Sequence, residues 1–407
     1  MHGAWCVVGG KGGTRRNVSI ISFHPLSPPA QRKNPYFFLG RPAPTHYKNA
    51  VFLSGVETMT SRPAKIAILG ASGYTGAELV RLLSRHSGVE IVAMTADRKA
   101  GEPFREVYPH LGQVSALPPL TRIEDVDWSG VEFVFCGLPH GTTQEIIAGL
   151  PDHVRIVDLS ADFRLYDLEA YKVWYGHEHR APELQKSAIY GLTEIKREAI
   201  RGARLVANPG CYTTGAELPL IPLLAADQIV RDNIIIDAKS GVTGAGRAPK
   251  EGTLYAEVAE GIHAYGIAKH RHGVEIDQEL SEAAGEPVIA TFTPHLMPMN
   301  RGILSTIYVS VKPGVTAEDL HKTLDARYAD EPFVGVLPIG EAPATRHVRG
   351  SNYTLIGVVA DRVPGRVIIV TALDNLVKGA AGQAIQNMNV MLGLPETLGL
   401  DQQPMFP

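Results

Sequence analysis

Cys211 is the residue of this sequence best placed for covalent chemistry. It follows the turn Asn208-Pro209-Gly210, and a helix-like stretch over residues 217–226 comes after it. A thiol at the start of a helix lies beside backbone N–H groups without partners, and these groups favour the thiolate. We therefore predict that Cys211 is a nucleophile whose thiol pKa is lowered.

A cysteine nucleophile needs a group that transfers protons, and the histidines near residue 270 are the candidates. His270 and His272 flank Arg271, which can pair with an anion, and Tyr265 lies just before them. The two imidazoles are expected on one side of a strand or on either side of a turn. A basic surface cluster is the alternative, whereas a metal site with Cys211 is not predicted because no further ligands stand at a suitable spacing.

A glycine-rich loop joins the first predicted strand to the first predicted helix. Its spacing is G-x-x-G-x-x-G, which lets backbone N–H groups approach a pyrophosphate at the positive end of the helix. We predict that this loop binds a dinucleotide, and the assigned residues are Gly70, Ser72, Gly73, Tyr74, Thr75 and Gly76.

The end of the second predicted strand bears on the choice between NAD and NADP. Asp97 stands where an acid can bond a ribose 2′-hydroxyl, but Arg98 and Lys99 follow it directly. Two adjacent cations favour NADP(H) because they attract a 2′-phosphate. The prediction requires that Asp97 turns away, and a solvated surface turn is the alternative.

These residues are positioned by an alternating pattern of strands and helices. Apolar strands are predicted over 65–69, 89–96, 131–135 and 155–158, and helices over 77–85 and 142–150. Strands that are apolar throughout and alternate with helices are typical of a parallel sheet covered on both faces. The cofactor loop therefore belongs to a Rossmann-type parallel sheet.

The pattern changes in the second half of the chain. Strands are predicted over 234–238, 288–294, 304–311, 358–360 and 366–372, and a helix rich in small residues over 378–392. Several of these strands alternate apolar and polar residues, as in a sheet with one solvated or interface face. We predict an α/β fold in which an α+β mixed-sheet domain, 208–370, is inserted into an NADP-binding domain formed by 59–207 and 371–407.

Composition excludes several classes of protein. The 407 residues carry a net charge of −3, which gives no electrostatic reason to bind nucleic acid. Three cysteines (Cys6, Cys136 and Cys211) cannot form a disulfide framework, and no apolar run is long enough to span a membrane. We expect a soluble, cytoplasmic protein that acts on a small molecule, and its small-residue helix and mixed sheet favour a homo-oligomer, a dimer or a tetramer.

The first 58 residues differ from the rest of the chain. They contain seven basic residues and one acid, so the remainder carries 32 basic and 41 acidic residues, a net charge of −9. Such a leader is typical of a transit peptide, which would direct the protein to a plastid. Alternatively, Met59 is the true start, because it stands just ahead of the first strand.

Together these motifs resemble the N-acetyl-gamma-glutamyl-phosphate reductase family, over about residues 65–407. The resemblance rests on the glycine loop and on segments 138–141, 158–164, 208–212, 240–247, 270–272 and 374–379. It implies a Rossmann domain, a catalytic domain of the semialdehyde dehydrogenase type, and NADPH-dependent reduction of an acyl phosphate through a cysteine thioester.

The resemblance also implies roles for single residues. Cys211 matches the nucleophile and His270 the acid/base group, while Tyr265 matches a supporting tyrosine. Ser240, Gly241 and Asn375 match positions that contact the cofactor. Arg247 and Arg349 are candidates for binding phosphate or carboxylate, and with Tyr265 and Asn208 they make up the predicted substrate residues.

The implied reaction is the reduction of N-acetyl-L-glutamyl 5-phosphate to the 5-semialdehyde in arginine biosynthesis. Two alternatives stay open from the sequence. A related reductase of aspartyl phosphate or carrier-bound aminoadipyl phosphate would differ only in pocket length, and a non-catalytic NADP-binding regulator would belong to another class.

Overall fold

The computed structural model describes residues 62–114 and 117–406. The predicted leader, residues 1–58, and Cys6 within it lie outside the described residues. None of the helices in the described ranges combines the length and the apolar character that a membrane span requires.

The first half of the described chain forms a seven-stranded parallel sheet with helices on both faces. Its strands are β1 (Ala64–Leu69), β2 (Val89–Thr95), β3 (Leu120–Thr121), β4 (Phe133–Cys136), β5 (Arg155–Asp158), β6 (Ile189–Tyr190) and β7 (Leu205–Ala207). Its helices are α1 (Tyr74–Leu83), α2 (Phe104–Val107), α3 (Thr143–Ala148), α4 (Leu168–Tyr175), α5 (Pro182–Gln185) and α6 (Thr193–Gly202). The strand order is β3-β2-β1-β4-β5-β7-β6.

The strands of this sheet are apolar throughout because the sheet lies between two hydrophobic cores, one on each face. Ile66 and Ile68 of β1 face a core that includes Leu79 of α1. Ala67 and Leu69 face the other way, into a core that includes Ile147 of α3. Alternate residues of one strand are thus buried on opposite faces, as expected for a covered parallel sheet.

The second half forms a mixed seven-stranded sheet. Its strands are β8 (Ile235–Gly241), β9 (His263–Ala264), β10 (Thr291–Met297), β11 (Ile303–Ser310), β12 (Val334–Val336), β13 (Thr354–Ala360) and β14 (Arg366–Leu373). Its helices are α7 (Cys211–Ala225), α8 (Tyr255–Val258), α9 (His272–Ala284) and α10 (Ala317–Tyr328). The strand order is β12-β13-β14-β11-β8-β10-β9, and only the pairs β8–β10 and β12–β13 are parallel.

This second sheet buries one face under helices. Along β11, buried residues alternate with half-buried ones, so the strand presents one side to the core and leaves the other partly open. The core under it takes Leu220 from α7, Ile276 from α9 and Leu320 from α10. The alternation in the sequence predicted this arrangement, and the predicted fold class is confirmed.

The chain then returns to the first sheet. A π-helical segment, Val377–Ala381, leads into α11 (Gly382–Leu392). Ile385 and Met388 of α11 are buried in the core that also contains β1. The helix predicted over 378–392 therefore joins the first sheet, although the boundaries 207/208 and 370/371 stay predictions.

Candidate active site

A cleft of about 1620 Å³ opens at the carboxyl ends of the first sheet's strands. The strand order reverses direction between β1 and β4, and open α/β sheets bind their ligands at such a switch point. Residues that follow β8 and β9 of the second sheet complete the walls. The cleft brings together most of the predicted site residues: Gly70, Ser72, Gly73, Tyr74, Thr75, Arg98, Asn208, Cys211, Ser240, Arg247, Tyr265, His270 and Asn375.

Three predicted site residues do not line the cleft. Gly76 and Gly241 are packing positions, since a Cβ atom would lie 2.5 Å from Ala71 Cα in the first case and 2.5 Å from the Asn300 carbonyl oxygen in the second. Arg349 is exposed, and its carbonyl accepts a hydrogen bond of 2.8 Å from the Met405 N–H. The structure therefore does not bring Arg349 to the other site residues, because its segment turns the side chain to solvent.

The glycine loop forms a cradle suited to a dinucleotide. Gly70 has a φ of +76°, and a Cβ atom there would lie 2.5 Å from the Gly137 carbonyl oxygen. Gly73 caps α1 with extended backbone and no side-chain hydrogen bond. The N-terminus of α1 thus reaches the cleft without a capping side chain, which suits the pyrophosphate of a dinucleotide.

Arg247 lies against this cofactor loop. Its Nη1 donates a hydrogen bond of 3.0 Å to the Ser72 carbonyl, and its guanidinium lies 4.6 Å from the centre of the Tyr108 ring. The Tyr108 hydroxyl donates to the same carbonyl at 2.9 Å. The sequence pattern predicts Arg247 as a substrate residue and gives no role to Tyr108, because neither of these contacts leaves a local signal.

Cations also surround the end of β2. Arg98 and Lys99 line the cleft, as does Arg122, which the sequence did not single out. Lys99 is paired with Glu102 at 3.0 Å. Arg98 is therefore the better candidate of the two adjacent cations for a 2′-phosphate.

The nucleophile candidate opens helix α7, six residues before the predicted helix start. Gly210 is the cap of this helix and provides no side chain to it. The π-helical segment packs against the Cys211 side chain, since a Cβ atom on Gly379 would be 2.9 Å from the Cβ of Cys211. Cys211 thus begins α7 and lies against the middle of the π-helical segment.

The predicted lowering of the Cys211 pKa is wrong. Burial raises the pKa of this thiol to about 11 and outweighs the opposing effects of the Arg164 guanidinium and of the backbone N–H groups of Tyr212 and Cys211 itself. The nearby Glu275 carboxylate raises it further. A helix start does lie beside the thiol, at Cys211 itself rather than near residue 217, but desolvation of the thiolate is the larger effect.

The two histidine candidates lie at the start of α9, and both line the cleft. Their rings are 4.7 Å apart, and His270 also lies 5.5 Å from Tyr265. Burial lowers the pKa of His270 to about 4, with a further contribution from Arg271, and holds the pKa of His272 well below its usual range. Both imidazoles are therefore neutral at physiological pH.

Tyr265 and Arg271 shape the wall beside these histidines. The Tyr265 hydroxyl lies 2.9 Å from the hydroxyl of Tyr212, the residue after the thiol. The Arg271 guanidinium lies 5.0 Å from the centre of the Tyr175 ring, at the end of α4. Arg271, which lies between the two histidines in sequence, thus adds a positive charge to this wall of the cleft.

Two buried residues near the thiol, Arg164 and Glu275, have no role predicted from the sequence. They form an ion pair of 3.1 Å, and Arg164 lines the cleft. Each residue is a charged position inside or just after a motif that was recognised, in segments 158–164 and 270–276. The two residues are 111 positions apart, so no local pattern reveals that they form a pair.

Three carboxylates elsewhere in the described residues lie close together: Glu194, Glu331 and Glu396. Lys378 pairs with Glu194 at 2.6 Å, and Arg197 pairs with both of the others. These cations occupy the cluster, so it gives no support for a metal site.

Comparison with known proteins assigns the chain to a family. The model for the semialdehyde dehydrogenase NAD-binding domain matches residues 65–203, and that for the semialdehyde dehydrogenase dimerisation domain matches residues 211–375. An N-acetyl-gamma-glutamyl-phosphate reductase of Rhodospirillum rubrum is 66% identical over 352 residues, which cover 85% of this chain and 100% of that protein. The chain belongs to the N-acetyl-gamma-glutamyl-phosphate reductase family. A probable chloroplastic member from Oryza sativa subsp. japonica is 60% identical over 87% of this chain and 85% of its own length.

Solved structures share the fold at lower identity. An aspartate semialdehyde dehydrogenase II from Vibrio cholerae has a TM-score of 0.61 at 19% identity, covering 81% of this chain and 99% of that one. An aspartate semialdehyde dehydrogenase with NADP from Candida albicans has a TM-score of 0.58 at 17% identity, covering 81% and 98%. The reductase family member described here therefore combines an NAD(P)-binding domain with a dimerisation domain of the semialdehyde dehydrogenase type.

Proposed function

We propose that this enzyme reduces N-acetyl-L-glutamyl 5-phosphate to N-acetyl-L-glutamate 5-semialdehyde with release of phosphate, as a step of arginine biosynthesis. The observation that carries the proposal is the shared cleft. The glycine loop, the Cys211 thiol and two neutral imidazoles line it together, in a chain 66% identical to a reductase of that name.

The first chemical step is attack by Cys211 on the acyl phosphate. The thiol proton passes to the oxygen of the departing phosphate, and the Arg164 charge and the N–H groups at the start of α7 stabilise the negative charge on the sulfur as it attacks. The sulfur–carbon bond forms as the carbon–oxygen bond to phosphate breaks, which leaves a thioester on Cys211 and inorganic phosphate. Arg271, beside the imidazoles, is placed to bind the anionic substrate.

The second step reduces the thioester. A reduced nicotinamide, when bound, supplies the hydride. His270 offers a proton at the carbonyl oxygen as negative charge develops there, in the way that a neutral imidazole polarises a carbonyl. His270 then regains a proton from solvent, and collapse of the hemithioacetal breaks the carbon–sulfur bond, returns the hydroxyl proton to the Cys211 sulfur and releases the semialdehyde. Ser240, Asn375 and the Gly70–Thr75 loop hold the cofactor in this proposal.

The substrate assignment is tested by the reverse reaction. The enzyme is given phosphate and NADP with N-acetylglutamate semialdehyde, aspartate semialdehyde or an aminoadipate semialdehyde in turn. We expect NADPH to form at least about 100-fold faster with the first, because a missing or extra methylene and an absent acetamido group each cost binding energy. Faster turnover of another semialdehyde would reassign the substrate, and no turnover with any of them would favour a non-catalytic protein.

We also propose NADP(H) rather than NAD(H) as the cofactor. Arg98 lines the cleft just after β2, as Asp97 does, and its neighbour Lys99 is held by Glu102. Arg98→Ala should raise KM for NADPH about tenfold and leave KM for NADH unchanged, because only the first cofactor has the phosphate. Arg85→Ala, at the exposed end of α1, is the matched control. An unchanged NADPH preference would remove Arg98 from the site.

The active species is proposed to be a homo-oligomer, a dimer or a tetramer, in which 59–207 with 371–407 forms the cofactor domain and 208–370 the catalytic domain. The match of residues 211–375 to a dimerisation domain and the half-buried face of the second sheet support this. Light scattering at micromolar concentration should give at least twice the chain mass. A monomer that retains full activity would contradict it.

The mature enzyme is proposed to begin near Met59, and mass spectrometry of the protein from its natural source tests this. A start at Met59 would indicate a cytoplasmic enzyme, whereas a cleaved end within the leader would indicate an organelle such as the plastid. Plant members of the family are described as chloroplastic. A mature chain that begins at Met1 would contradict the proposal.

A further inference from the structure

A buried carboxylate joins the starts of the two helices that carry the reactive side chains. Glu275 lies in the first turn of α9, three residues after His272, and is fully buried. Its Oε1 accepts a hydrogen bond of 2.8 Å from the backbone N–H of Gly210, the residue before Cys211. The Tyr190 hydroxyl donates to the same oxygen at 2.7 Å, and the Thr213 hydroxyl at 3.1 Å. The start of α9 is thereby bonded to the start of α7.

Arg164 holds the same turn from its other end. Its Nε donates a hydrogen bond of 2.8 Å to the carbonyl of Asn208, and its Nη1 donates to Oε2 of Glu275 at 3.1 Å. Arg164 is only 6% exposed and comes from the loop after β5, in the first sheet's half of the chain. One ion pair thus bonds the backbone on both sides of Pro209.

We propose that Arg164 and Glu275 are positioning residues for the reduction: as a buried clamp, they fix the Asn208–Gly210 turn and with it the place of the Cys211 sulfur relative to the two imidazoles. This inference rests on the proposed function. The clamp connects the two halves of the site. A substitution of either member therefore changes the position or the charge environment of the Cys211 sulfur, although neither residue takes part in the reaction itself.

The clamp has an electrostatic consequence that packing alone does not have. Arg164 lowers the pKa of the Cys211 thiol and Glu275 raises it. The other titratable groups around the thiol are the phenols of Tyr212 and Tyr265, whose pKa values burial raises, and the two neutral histidines. From the π-helical segment, Lys378 is turned away and paired with Glu194. Removing one member of the clamp therefore changes thiol reactivity in a direction set by its charge.

The test is the rate of Cys211 alkylation by iodoacetamide at pH 8, measured on the whole enzyme without substrate. Glu275→Gln should raise the rate about tenfold and Arg164→Met should lower it about tenfold, because a charge near a thiol shifts its pKa by about one pH unit or more. Both variants should lose kcat. Glu279→Gln is the matched control, since Glu279 is equally buried on α9 but pairs with Lys196, and it should alkylate like the unmodified enzyme.

Arg164→Lys distinguishes the effect of the Arg164 charge from the effect of its hydrogen-bond geometry. It also tests the clamp if a charge-removing variant does not fold. It keeps the cation, so alkylation should stay within about twofold. Lysine lacks the two separate donor nitrogens with which the guanidinium holds Asn208 and Glu275 in fixed directions, so kcat should fall at least tenfold with KM for NADPH unchanged. The proposal would be overturned if Glu275→Gln and Arg164→Met shifted the alkylation rate in the same direction. A normal kcat in the Arg164→Lys enzyme would overturn it as well. Failure of the proposed substrate would leave the alkylation results standing, because they require no turnover.

Discussion

The backbone N–H of His272 donates a hydrogen bond of 3.1 Å to Nδ1 of His270. A ring nitrogen that accepts such a bond carries no proton, so neutral His270 holds its proton on Nε2. His272 differs, because its buried Nδ1 has no hydrogen-bond partner among the described residues. Its ring packs on Gly210, where a Cβ atom would lie 2.5 Å from Nε2. The two histidines are therefore not equivalent.

This difference predicts unequal losses when each histidine is replaced. His270→Asn removes the Nε2 proton while its amide oxygen can still accept from the His272 N–H, and kcat should fall about 10²- to 10⁴-fold. His272→Asn should cost less, because its role is to fill the space over Gly210. Steady-state kinetics at saturating substrate measure both, with the exposed His347→Asn as the control. Equal losses, or a larger one at His272, would reverse the assignment.

Stability should fall as the solution becomes acidic. The pKa of His270 is lowered to about 4 in the folded enzyme, against about 6.5 in an unfolded chain. Between these values the unfolded chain binds more protons, so the free energy of unfolding decreases as pH falls from 7 towards 4. His270→Asn should make the drop in Tm between pH 7 and pH 5 smaller, whereas His347→Asn should not. An equally steep drop in the His270 variant would mean that the imidazole is not held neutral.

Replacing the thiol should stop the chemistry and spare the cofactor. Cys211→Ser should bind NADPH with a normal Kd, since the glycine loop is untouched, and lose about 10³-fold or more in kcat because its hydroxyl is a weaker nucleophile. Fluorescence titration and steady-state kinetics measure the two quantities. Cys136→Ala is the control: burial keeps the pKa of Cys136 well above its usual range, so its loss should leave kcat unchanged. Near-normal turnover by the serine variant would exclude the thioester.

Replacing Arg247 should weaken the binding of the cofactor more than the binding of the acyl phosphate. It bonds the Ser72 carbonyl and stacks on Tyr108, both beside the glycine loop. Arg247→Ala should raise KM for NADPH about five- to tenfold, the value of one hydrogen bond plus one cation–π contact. KM for the acyl phosphate should change little, and the exposed Arg346→Ala should change neither constant. If only KM for the acyl phosphate rose, Arg247 would instead be a substrate-binding residue.

Local sequence patterns predicted a large part of this protein. The strand–loop–helix unit around Gly70 is confirmed because a run of β-branched residues, a turn that needs glycine and an amphipathic helix are each encoded within about 20 residues. The turn before Cys211 and a helix after it are also predicted, since Pro209 and Gly210 end the preceding strand, although the helix begins six residues earlier than its pattern indicates. The mixed second sheet follows from the alternation along β11. In each case neighbouring residues carry the whole signal.

The tertiary structure decided what depends on burial and on distant partners. The pKa of Cys211 rises rather than falls, because desolvation by the surrounding fold exceeds the effect of the helix start. Arg247 reaches a carbonyl 175 residues away, and Arg349 is turned to solvent. The Arg164–Glu275 clamp joins two segments whose separation in sequence hides it. The sequence thus determined which elements form and which residues could react, whereas packing between elements set their charge state and their partners.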